Sequence, residues 1–264
     1  MKATIRTSIV ALGAALLTWA GAGMASTTTV LNNASNGALT VTGYTDTGAS
    51  GALVALGESV SNGCSDSNTA SNCVPQTQWY AGGSGNLGGY GISSNATDTG
   101  VPSHATDNVG NKESLLINFG TNTKLESVTI GYKSGDSDIT VLAWAGSGTP
   151  IASNTTYGGV TGLIAKGWVL VGNYADAVVN AAQSVNAGGI SSSYWLVMAY
   201  NSVFGTVNSG NTGTTLSDSN DYVKFYSVAY STTPSTGRVS EPATALLFGA
   251  ALFGLIGWRS RKQG

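Results

Sequence analysis

The clearest pattern in the chain runs from Glu113 to Tyr230, where apolar and polar positions alternate in short runs separated by Gly, Asn, Ser and Asp. Ser114 to Phe119 reads as one strand. Leu125 to Lys133 reads as a second, with Val128, Ile130 and Tyr132 on one face and Thr129 and Lys133 on the other, and Asp138 to Trp144 as a third. A period of two with one apolar face is the mark of a half-buried antiparallel strand. Lys133-Ser134-Gly135-Asp136-Ser137 supplies turn residues between the second and third runs, so these two are expected to form a hairpin. Further strands are predicted at Gly167 to Val171, Tyr194 to Tyr200 and Tyr222 to Tyr230. In the last of these Val223, Phe225 and Ala229 face one way and Tyr222, Lys224, Tyr226 and Tyr230 the other. Ala175 to Ala187 reads equally as a short helix or a strand, because Val178, Val179 and Val185 are β-branched. Upstream, Thr28 to Leu31 and Ala38 to Thr42 are strand-like, and Asn36-Gly37 is a hairpin signal. From Gly57 to Asn111 the chain turns polar and glycine-rich, which reads as surface loops.

Two apolar stretches break this pattern, one at each end. Met1 to Ala25 has Lys2 and Arg6, then an apolar run from Ile9 to Ala22, then small residues before Ala25. This is the layout of a secretory signal peptide cleaved after Ala25, and the run is short for an uncleaved anchor of ~20 residues. At the other end Ala243 to Trp258 would form a helix of about 24 Å at ~1.5 Å per residue. With flanking residues it reads as a single transmembrane helix, stopped by Arg259, Arg261 and Lys262, which place the carboxyl terminus in the cytoplasm. The predicted organisation is thus a signal peptide (1–25), an all-β exported domain (26–236) and a carboxyl-terminal tail (237–264). Short strands, turn-rich connections and no βαβ alternation make the domain an antiparallel β-sandwich, jelly-roll-like.

Composition supports a turn-rich β-protein, with 37 Gly among 264 residues and only 9% charged. Between Ser26 and Ser240 six basic residues face twelve acidic ones, a net charge of about −6, and the basic ones are scattered. Nucleic acid is therefore not an expected partner. Export favours a disulfide between Cys64 and Cys73 across a small polar loop, worth roughly 2.5 to 3 kcal/mol in the chain-entropy model.

Candidate chemistry is sparse. Gly83-Ser84-Gly85-Asn86-Leu87-Gly88 fits G-x-G-x-x-G but lacks the strand before it and the helix after it that a dinucleotide site needs. His104 is the only histidine, so any Ser/His/Asp or Cys/His arrangement would run through it. Asp136 and Asp138 read as turn residues rather than as an acid/base pair. Asp107, Asn108 and Glu113 cluster oxygen donors around Gly110 and are the candidate ligands of a Ca²⁺ ion, although Asp and Asn are also plain turn formers, and no cofactor is otherwise expected. Trp79 and Tyr80 are the candidate surface aromatics for stacking on a sugar, whereas Trp168 and Trp195 read as core.

The tail resembles the PEP-CTERM sorting signal of Gram-negative bacteria, V-P-E-P-A-T followed by an apolar helix and an arginine-rich end. Val239, Glu241, Pro242, Ala243 and Thr244 match, and Ser240 stands where the pattern has proline. A second, looser resemblance, over roughly 104–144, is to exosortase-dependent surface proteins. These resemblances imply export through the Sec translocon, recognition of the tail by exosortase, passage through an inner-membrane-anchored precursor, and delivery to the cell surface or extracellular matrix, often beside exopolysaccharide in a biofilm. They make the chain a substrate rather than an enzyme. The alternatives are a carbohydrate-binding module acting on exopolysaccharide and a secreted glycan hydrolase.

Overall fold

The computed structural model describes residues 25–32, 39–46, 51–57, 76–94, 104–210 and 215–232. The signal-like start, Cys64, Cys73, Asn36-Gly37 and the whole tail from Val239 to Lys262 lie outside the described residues. Among those described, no helix is long and apolar enough to cross a membrane.

The described chain is mostly β. Its strands are β1 (Thr27–Val30), β2 (Thr40–Thr45), β3 (Val54–Leu56), β4 (Gln76–Ala81), β5 (Gly88–Ser93), β6 (Thr106–Asp107), β7 (Glu113–Gly135), β8 (Ile139–Trp144), β9 (Trp168–Tyr174), β10 (Ala182–Ser184), β11 (Ser192–Ala199) and β12 (Asp221–Thr232). One four-residue helix, α1 (Leu163–Lys166), precedes β9, and a 3₁₀ turn spans Ser202–Phe204. All the strands join one antiparallel twelve-stranded sheet, along the path β4-β5-β12-β7-β11-β8-β9.

The 23-residue β7 organises this sheet. Its first part, Glu113 to Asn118, lies between β2 and β11, and its second part, from Thr123 on, pairs with β12. At the junction the β11 register jumps from Tyr194↔Asn118 to Ser192↔Thr123. Residues 119–122 therefore bulge out of the ladder. Gly120 takes φ +67° there, and its N–H donates to Asn118 Oδ1 at 2.8 Å. A bulge of this kind bends a strand, and here the two ends of β7 come together. Gly135, its last residue, pairs with Asp221, which bonds Asn108, and Lys112 beside Glu113 reaches Asp218. Both parts feed one core: Leu115 and Ile117 from the first, Leu125, Val128 and Ile130 from the second, with Trp195, Val197, Val223 and Phe225. A second core, on Leu116, Leu142, Leu196 and Met198, is closed by Tyr157, Leu163, Trp168 and Phe204. Alternate residues of β7 and β11 thus enter different cores, as a period of two requires.

Several expectations change. The predicted hairpin between 125–133 and 138–144 does not form: the second part of β7 pairs with β12 and β10, and β8 pairs with β11 and β9. The turn residues there carry the chain between non-adjacent strands. The first two runs do not pair with each other either, because β1 joins β12 and β2 joins β3 and β7. The supposed loop region contains β4, β5 and β6. The stretch 175–187 holds no helix but the short β10. On β12, register shifts at Lys224/Phe225, Phe225/Ser227 and Ala229/Tyr230 reset the alternation, so that Val228 and Tyr230 enter the core with Val223 and Phe225 while Ala229 does not. Trp168 and Trp195 are buried as expected, their indole N–H groups donating to Pro150 O and to Ser192 O.

Candidate functional site

Where the ends of β7 meet, all the described carboxylates but Glu126 gather. Asp136, Asp138 and Asp221 place oxygens within 4.8 Å of one another, and Asp138 and Asp221 are fully buried. Each of the oxygens already accepts a protein hydrogen bond. Asp221 Oδ1 takes the Asp138 N–H at 2.7 Å and Oδ2 the Asn108 amide at 2.6 Å. Asp138 accepts from the N–H groups of Asp176 and Ser217, and Asp136 from Ser137 N–H and the Ser217 hydroxyl. Five chain segments are thereby tied together. A second lone pair on each oxygen still leaves an all-oxygen donor set, of the type a hard cation such as Ca²⁺ takes or across which a proton can be shared.

The electrostatics follow from burial and like charge. Asp221 is pushed up to about 8, first by desolvation and then by the charges of Asp138 and Asp136, against the hydrogen bonds from the Asp138 N–H and Asn108. Asp138 is raised as well, chiefly by desolvation. Next to them, Asp218 pairs with Lys112 Nζ at 2.8 Å and accepts from the Ser202 hydroxyl. Desolvation pushes Asp218 up, but these bonds outweigh it and hold the carboxyl below its ordinary value. Asp46 accepts the Lys112 N–H, and burial raises it.

The expected Ca²⁺ ligands reach this same end in a different arrangement. Asn108 makes a reciprocal pair with Asp221, its Oδ1 accepting the Asp221 N–H at 3.0 Å, and its amide also donates to Tyr200 O. Asp107 Oδ1 accepts the Val109 N–H, and Glu113 Oε2 accepts the Asp107 N–H. The carboxylates that converge with Asn108 are those of β12 and the β7–β8 connection. Asp136 and Asp138 are visible in the sequence as a pair; Asp221, 83 positions after Asp138, carries no local signal.

The aromatic candidates sit on β4. Trp79 packs edge-on to Tyr90 at 5.6 Å and against Tyr226 at 5.7 Å, joining the main core from its margin. Tyr80 stacks on His104 at 4.0 Å, and Lys224 lies 4.5 Å from the ring centres of both Tyr80 and Tyr132. His104 is itself buried, which places the only histidine inside this stack. The Gly83 to Gly88 segment does follow a strand, β4, contrary to expectation, but it leads through a hairpin connection into β5, which starts at Gly88, and not into a helix.

Fold and site together define a mostly antiparallel β domain in which the described carboxylates, Glu126 apart, collect at one end. Beyond the domain, residues 238–262 match the family model of the PEP-CTERM protein-sorting motif, so the chain carries a PEP-CTERM sorting domain at its carboxyl end. The motif implies processing by exosortase and a secreted protein of the cell envelope. No curated protein and no solved structure matches the chain.

Proposed function

We propose that this is a non-catalytic surface or extracellular-matrix protein, a β-sandwich that leaves the cell through the Sec translocon. It is held in the inner membrane by the segment 243–258 until exosortase acts on the motif at Val239 to Thr244, and it then joins the exopolysaccharide of a biofilm. The observation that carries the proposal is the sorting motif at 238–262, placed directly after a compact β domain. The chemistry of that domain agrees with it. Its single histidine is packed against Tyr80, and the clustered aspartates are engaged by backbone N–H groups that hold loops in place. A hydrolase would instead present two carboxyl groups to a substrate bond. A carbohydrate-binding role through Trp79 and Tyr80 is supported less well, since both rings lie against other side chains.

The test is the intact mass of the mature protein from a host with exosortase and from the same host lacking it. Loss of the tail in the first and its retention in the second is the expected result. A mature protein that still ends at Gly264 in the exosortase-positive host would overturn the proposal.

A further inference from the structure

We infer that the end of the domain built from residues 120–123, Ser192 and Thr232 is a membrane-facing surface, resting on the anionic bilayer that holds the sorting tail, with the carboxylate-rich end turned outward. This rests on the proposed sorting. Two independent features carry it, one covalent and one electrostatic.

The covalent feature is where the chain leaves the sheet. β12 starts at Asp221, inside the acidic cluster, and ends at Thr232, paired with Thr123. Ser192 pairs with Thr123 as well, and its hydroxyl donates to Trp144 O, so the ends of β8 and β11 lie at the same level. A 12-residue strand separates the acidic cluster from the exit point by about 40 Å. Residues 233–242 lie between Thr232 and the proposed membrane segment at 243, a reach of about 35 Å when fully extended. While the tail is in the bilayer, the exit end is the part of the domain held near the membrane, and the acidic end, about 40 Å farther along β12, is the part free to swing away.

The tether alone would let the domain lie flat, and charge opposes this. Among the described residues every carboxylate except Glu126 belongs to the end away from the exit. At the exit end Lys124 pairs across to Ser231, and Lys166 stands in α1, one residue before the turn into Trp168, which pairs with Trp144. Lys124 and Lys166 against Glu126 leave that end weakly positive. Lying flat would bring the acidic end within a screening length, ~8 Å, of a negative surface, whereas standing upright keeps it well outside. Around Thr123 the exposed residues are small and polar, including Gly120, Thr121, Asn122 and Thr232, and suit a hydrated headgroup layer, while Ile164 and Val169 beside Lys166 are exposed apolar residues.

The experiment uses the full chain with its tail in phosphatidylglycerol-containing vesicles that carry an acceptor dye on the headgroups. A donor dye is attached to p-acetylphenylalanine at Asn122→p-acetylphenylalanine or at Val178→p-acetylphenylalanine. Asn122 is at the exit end; Val178 is exposed beside Ala177, whose N–H bonds Ser137 O near the acidic cluster. Energy transfer is expected to be several-fold stronger from position 122 than from 178, with the contrast shrinking when phosphatidylcholine replaces phosphatidylglycerol. Equal transfer from the two positions, or stronger transfer from 178, in chains that float with the vesicles overturns the inference and leaves the sorting proposal standing. Failure of the chain to float with the vesicles overturns both.

Discussion

Asp221 begins β12 with both of its carboxylate oxygens and its own N–H bonded to neighbours, in a place closed to bulk solvent. The folded chain holds its proton up to about pH 8, whereas an unfolded aspartate releases it near pH ~4. The stability this group contributes is therefore complete below about pH 4, falls as the pH rises between those values, and levels off above about 8. Urea unfolding across that range is expected to show a decline of up to about 1.4 kcal/mol per pH unit. Asp136→Asn, which removes the most exposed neighbouring charge, is expected to flatten the decline. Asn108→Ala would leave Asp221 without its side-chain donor and Tyr200 O without a partner, and is expected to lower stability by about 2 to 4 kcal/mol in the same measurement. This scale was the least legible in the sequence. Asp136 and Asp138 look like turn formers and are so, since each also fixes loop backbone. Their third partner is supplied by topology, and no spacing rule reaches it.

At the scale of elements, the strands with apolar faces were legible, and their partners were not. Ser114 to Phe119 and Leu125 to Lys133 alternate as half-buried strands should, yet they are one strand bent at a four-residue bulge that looks like an ordinary Gly/Thr/Asn turn. β5 is illegible for a different reason. Its Gly88, Gly89 and Gly91 mimic a loop, but they let backbone approach backbone: a Cβ on Gly91 would stand 1.8 Å from His104 O. The same holds within β7, where a Cβ on Gly131 would meet Gly88 O at 2.0 Å. Gly131→Ala is accordingly expected to destabilise the domain by more than about 2 kcal/mol, because backbone rather than a flexible side chain must give way. Thermal unfolding of that variant, compared with Gly110→Ala, whose Cβ meets nothing within 4 Å but whose φ of +73° adds a smaller strain, separates the packing cost from the conformational one.

For the whole molecule, the sequence announces destination more plainly than shape. The tail motif is a contiguous string and is readable as such, whereas the gathering of carboxylates at one end depends on strand pairings between residues about 90 to 110 positions apart. An opposite charge reversal, Lys124→Glu with Lys166→Glu, is expected to weaken the upright stance on anionic vesicles while leaving the unfolding temperature within about 1 °C, since neither side chain makes an ion pair among the described residues.

The pairing of β1 with β12 has one more outcome. Thr27 lies opposite Tyr230, so the first strand of the domain waits for the last before either edge is satisfied. A secreted chain emerging amino end first cannot close this sheet until nearly all of the domain has crossed, and contacts of such long range form slowly, on the order of milliseconds to seconds. The order of the strands therefore opposes closure of the whole sheet before the last of them has crossed.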